Sequence, residues 1–170
     1  MDPLSAAITT DFGKDLYLAR RYDEATVELR RVLELDPNFV SAHNWLSDTF
    51  LEQRKYPDAI AELEKTKPLQ EERVYVRQTA YLYTRMGRRA EARRALAKSL
   101  RLSEGKPVSA GAVALVRAAL GDKNQAYLWL EKSYTQQSSF MITLKYWAVF
   151  DSLRSDPRFE DLINRVGLHE

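Results

Sequence analysis

Side chains suited to chemistry are scarce in this chain. It has two histidines, His43 and His169, and no cysteine in 170 residues, so thiolate nucleophiles, disulfides and thiolate metal sites are excluded. No His-x-x-x-His pair, which would set two ligands on one helical face, occurs. Phosphate-cradling Gly-x-Gly-x-x-Gly and Gly-Lys-Ser/Thr loops are missing, as is the Gly-x-Ser-x-Gly turn that exposes a nucleophilic serine. Glu71 and Glu72 are adjacent, so on a helix their carboxylates diverge and read as a solvated helix start rather than an acid and base pair. His43 falls inside a helical stretch and reads as a hydrogen-bonded structural residue. No catalytic residue, metal or cofactor is expected, and an enzyme or an accessory subunit of one is the disfavoured class.

Charge says more. The chain carries +2 overall, but residues 73–101 hold Arg73, Arg77, Arg85, Arg88, Arg89, Arg93, Arg94, Lys98 and Arg101 against Glu91 alone. That segment is +8, which leaves −6 elsewhere. Such a stripe is a solvated face, a site for an acidic partner or a nucleic-acid footprint, in that order here. Nucleic acid ranks last because no aromatic interleaves with Arg88 to Lys98 to stack on bases.

Whatever these groups do, helices must position them. Four times an alanine is followed four residues on by a leucine: Ala25 and Leu29, Ala59 and Leu63, Ala92 and Leu96, Ala126 and Leu130. The alanines are 34, 33 and 34 residues apart, a period that marks an array of one supersecondary unit. Apolar residues recur at three- and four-residue spacing on both sides of short polar corners at 19–22, 53–57, 86–89 and 120–123. Gly87 and Gly121 suit left-handed helix ends, and Asp58, Glu91 and Asp122 put carboxylates in the first turn of the next helix. Helices are predicted over 5–19, 22–35, 40–53, 56–66, 71–86, 88–102, 107–120, 122–136 and 156–166, with a short one near 146–153 and no strand. Asp36-Pro37-Asn38 stops the first unit, and Pro68 should shorten the helix before it.

The corner Ala19-Arg20-Arg21-Tyr22-Asp23-Glu24-Ala25 and the exit Leu33-Glu34-Leu35-Asp36-Pro37-Asn38 resemble those of the tetratricopeptide repeat family, and the likeness runs from residue 6 to about 137. It implies an all-α, right-handed superhelical solenoid of four hairpins, 6–39, 40–72, 73–106 and 107–137. A capping segment over 138–170 would belong to the same structural domain. In that family the first (A) helix of each hairpin lines a concave groove that grips a peptide. The resemblance places Lys14, Tyr17, Asn44, Asp48, Arg77, Tyr81 and Arg85 there. Arg77, Tyr81 and Arg85 follow at four-residue steps, which favours an acidic partner or one ending in a carboxylate. The chaperone-binding clamp of the family is not reproduced, since Thr10 and Lys14 stand where it has Lys and Asn. Thr9, His43, Val76 and Ala110 replace the usual aromatic of the A helices, and Arg117 takes a position that is normally apolar. The fourth A helix offers Gly111, Leu115, Ala118 and Ala119, an apolar face expected to be covered by the tail or by a partner.

Eight of the eighteen aromatics lie between Tyr127 and Phe159. The tail from Leu144 to Phe159 is similar to the ending of bacterial multi-domain regulators whose repeats follow a winged-helix or Ser/Thr kinase domain or a propeller-like segment. Asp2-Pro3-Leu4-Ser5 with Thr10-Asp11 resembles an internal start of that module. The resemblance implies a cytoplasmic, non-catalytic protein-interaction scaffold, the C-terminal piece of a signalling or transcription regulator. Tyr146, Trp147, Phe150, Leu153, Phe159, Leu162 and Ile163 are expected to cap the last hairpin around Trp129 and Leu130, the alternative being a homodimer interface. Residues 1–7 lack the charged and apolar regions of a secretory signal, and no apolar run nears the roughly 20 residues of a membrane span.

Overall fold

A computed structural model describes residues 3–168; His169 lies outside the described residues. The chain is an all-helical array with no strand among those residues. Four antiparallel hairpins come first: α1 (Pro3–Leu18) with α2 (Tyr22–Leu35), α3 (Val40–Glu52) with α4 (Tyr56–Thr66), α5 (Glu72–Arg85) with α6 (Arg89–Arg101), and α7 (Ala110–Ala119) with α8 (Lys123–Thr135). Two 3-10 segments, Ser139–Tyr146 and Ala148–Leu153, lead to α9 (Pro157–Val166). The expected short helix near 146–153 is the second of these, Ala148–Leu153, in 3-10 form; the first was not expected, and the extended backbone of Trp147 separates the two. As Pro68 predicts, α4 is shorter than the second helix of the other hairpins, at 11 residues against 13 or 14.

The repeat has a physical cause at each crossing. Ala25, Ala59, Ala92 and Ala126 are all fully buried, so the backbones of paired helices meet where no side chain holds them apart. Leu29, Leu63, Leu96 and Leu130, also buried, fill the space beside them. The corners repeat as faithfully as the core. Arg20, Arg54, Gly87 and Gly121 all sit at φ between 60° and 76°, and the next residue's amide reaches back five residues, as from Arg21 to Leu16 and from Asp122 to Arg117. This is the Schellman closure of a helix end. Glycine meets its left-handed requirement at the third and fourth corners, while Arg20 and Arg54 adopt it against their intrinsic preference at the first two.

Helices α1, α3, α5 and α7 contact one another in order and form the inner layer. The tail divides its contacts. Its first 3-10 segment and α9 pack on α8, as expected, but the second 3-10 segment packs on α7 and carries Trp147 across the inner layer. The Trp147 ring lies 5.9 Å from Tyr17 and 5.6 Å from Trp45, on the first and second hairpins. Asp151 accepts a 2.7 Å hydrogen bond from Arg20. The expectation that the whole aromatic set packs around Trp129 and Leu130 is therefore corrected. Trp147 finds an aromatic seat on the concave side among Tyr17, Trp45 and Phe140, and Tyr146 stays half exposed.

Candidate functional site

On α3, Ser41, Asn44, Trp45 and Asp48 follow at three- and four-residue steps and share one face; on α5, Arg77, Gln78 and Tyr81 do the same. The two faces meet on the concave side and form the floor of a cavity of about 280 Å3. Ala112 and Leu115 of α7 make a third wall, and Phe140 and Trp147 of the tail form the roof. Phe140 sits directly over Gly111, where a Cβ would collide with its ring. The apolar face of the fourth A helix is thus covered by the tail.

Four polar groups converge here without protein partners. The Oδ1 of Asn44 and the hydroxyl of Tyr81 are buried and accept or donate no hydrogen bond; the Tyr17 phenol approaches Tyr81 but does not reach bonding geometry. Arg77 and Asp48 feel each other's charge yet make no ion pair with one another or with any other described residue. Burial, reinforced by the charge of Glu52, pushes the Asp48 carboxyl up to about 7, with Arg77 and Arg85 acting against the rise. Burial lowers Arg77 from its ordinary range. Asn44 Oδ1 and the Tyr81 hydroxyl are two of five buried side-chain atoms without a hydrogen-bond partner among the described residues, and these two belong to the residues that line the cavity.

The other three predicted residues have different surroundings. Tyr17 is buried beside Trp147 and forms part of the tail's seat. Arg85 is taken by a buried partner, with its Nη2 2.6 Å from Glu52. Lys14 lies 2.9 Å from Asp11 on its own helix and does not line the cavity. The four-residue steps of Arg77, Tyr81 and Arg85 survive, but only the first two face the cavity. Sequence reading missed Trp45, Phe140 and Trp147. The signal available for them was complementarity, an apolar α7 face needing cover and an aromatic-rich tail needing burial.

His43 behaves as a structural residue. Its Nδ1 lies 2.6 Å from Glu62 Oε2 and its Nε2 2.8 Å from the Pro37 carbonyl, so a buried ring ties the exit of α2 to α4. Five of the nine cations of the basic stripe pair with carboxylates of the described residues, Arg85 among them. Arg93 makes a bidentate pair with Asp122, Lys98 reaches Glu72 at 2.6 Å, Arg88 pairs with Glu91 and Arg73 with Glu71. Arg117, at its normally apolar position, finds Asp122 at 3.4 Å. Among the described residues no group of three or more His, Asp and Glu could hold a metal ion, and no helix is long and apolar enough to cross a membrane.

A solenoid of helical hairpins whose inner layer lines an open cavity with polar and aromatic walls defines the class of this protein. Residues 10–70, the first two hairpins less the start of α1, match the tetratricopeptide repeat family. None of the curated proteins matches the chain. Among solved structures, a tetratricopeptide repeat protein from Parabacteroides merdae ATCC 43184 superposes with a TM-score of 0.50 at 14% identity, covering 99% of this chain and 66% of that one. This chain therefore spans just under two thirds of that relative. Two structures of MamA give TM-scores of 0.48 and 0.45 at 20% and 19% identity, with coverage of 97% and 92% of this chain and 95% and 92% of theirs.

Proposed function

We propose that this protein is a non-catalytic interaction module that holds an acidic peptide or partner domain on its concave face, as the cytoplasmic C-terminal part of a bacterial signalling or transcription regulator. The observation that carries this reading is the set of unpartnered Asn44, Asp48, Arg77 and Tyr81 groups on the inner layer. Repeat arrays bind along such concave surfaces because they bury more of a ligand per contact than the convex side does. Arg77 is the anion-binding group of this face, since Arg85 is already matched by Glu52. Several of the convex cations are engaged in pairs, Arg93 with Asp122, Arg88 with Glu91 and Lys98 with Glu72, which weighs against an acidic partner or nucleic acid on that side. The tail aromatics that would form a homodimer interface, Trp147, Phe150 and Phe159, are buried within their own chain.

Affinity capture separates the two faces. The protein, its Arg77→Glu variant and an Arg93→Glu/Arg94→Glu variant would be used to retain partners from a bacterial extract. Loss of the retained partner with Arg77→Glu, and its persistence with the double reversal, is expected. Release by the double reversal alone would overturn the groove assignment.

A further inference from the structure

The cavity under the tail has its own chemistry, apart from any protein partner. It contains one acid and one guanidinium, half-buried and in no direct ion pair, so a ligand of single charge would match one and leave the other unmatched. A molecule carrying both charges satisfies both and brings no net charge into the site. Asn44 Oδ1 adds an acceptor beside Asp48's helix face, and the Tyr81 hydroxyl adds a group that donates or accepts. The remaining walls are apolar and aromatic: Trp45 below, Leu115 to one side, Phe140 and Trp147 above. The cavity, about 280 Å3 and open to solvent on one side, has room for a group the size of one amino acid.

We propose that this cavity binds a free α-amino acid with an apolar or aromatic side chain. Arg77 takes the carboxylate through its two-pronged fork, Asp48 and Asn44 take the ammonium, and the side chain lies among Trp45, Phe140 and Trp147. Phe140 and Trp147 give the ligand side chain a fixed aromatic wall, Trp147 being held by a 3.0 Å hydrogen bond from its Nε1 to Thr143 and by its contacts with Tyr17 and Trp45. A chain end offers Asp48 an uncharged amide where a free amino acid offers a cation. The inference rests on the concave face being the binding face, and it makes the tail part of the site, since bound ligand touches floor and roof together.

The test is calorimetric titration of the purified full chain with free leucine, phenylalanine, tryptophan, glutamate and lysine, and with the N-acetylated form of whichever binds tightest. Saturable binding of one or more of the apolar or aromatic three is expected, weakened at least tenfold by N-acetylation, by Asp48→Asn and by Arg77→Gln. Arg93→Gln should bind as the unaltered chain does, and circular dichroism should show all variants folded. Binding of the N-acetylated form as tightly as the free one would overturn the amino-acid assignment while leaving the groove as a peptide site. Failure of all ligands to bind at millimolar concentration would overturn it too, the cavity then being solvated, and the capture experiment above would still decide the groove reading by itself.

Discussion

A carboxyl group enclosed like that of Asp48 makes stability depend on pH in a definite direction. Its value rises on folding from 3.8 to about 7, so between these values the folded chain keeps a proton that the unfolded chain has lost. Stability therefore falls as pH rises through this window and levels off above it, by an amount on the order of 1–4 kcal/mol. Glu52 is raised as well, chiefly by burial, and adds to the slope in the same direction. Asp48→Asn should raise the melting temperature at pH 8 and flatten the decline between pH 4 and 7; thermal melts across that range check it. At this scale the sequence was only partly legible. The family resemblance located Asn44, Asp48, Arg77 and Tyr81 on the groove, because their positions follow from helix period and repeat frame alone. That Arg85 is spent on Glu52 of another helix was not legible, since such pairing depends on tertiary neighbours that spacing does not encode, whereas Lys14 with Asp11 is a three-residue helical pair that spacing offers.

Elements were easier to read than sites. The crossing alanines, the corner glycines and Pro68 each act through local sterics, so helix ends fall within a few residues of expectation. Arg20 and Arg54 show the limit, for they hold the same left-handed corner as Gly87 and Gly121 without the residue that advertises it. The 3-10 character of the tail was hidden for a related reason, as its backbone is set by what it packs on. Gly111 gives a test of that packing with a sign that cannot be mistaken. Gly111 is the second residue of α7, where alanine in place of glycine would otherwise be neutral to stabilising, by less than about 1 kcal/mol. Here the new Cβ would strike Phe140 and lift the first 3-10 segment from α7, so Gly111→Ala should destabilise by about 1–3 kcal/mol in denaturant unfolding. A stabilised variant would mean that the tail does not cover α7.

At the scale of the whole molecule, the tail does two things that an end cap alone would not. It covers α7 and α8 with Phe150, Leu153 and Leu162, all fully buried, and it spans the inner layer to reach the first hairpin through Trp147 and the Arg20–Asp151 pair. The array is thereby closed from its last repeat to its first. Exposed ion pairs contribute little by themselves, so the aromatic contacts of Trp147 carry the closure. A chain ending at Gln137 should lose both functions and become molten or insoluble, with the apolar faces of α7 and α8 uncovered.

Roof and floor together define the site on which both functional proposals depend, so the most direct measurement is the distance across the closure. The chain has no cysteine, which permits spin labels at Ala19→Cys and Ser152→Cys, exposed positions beside the Arg20–Asp151 contact. Pulsed dipolar spectroscopy should give a single short and narrow distance distribution. A broad distribution centred at long distance would show a tail detached from the first hairpin, and would contradict the closed groove.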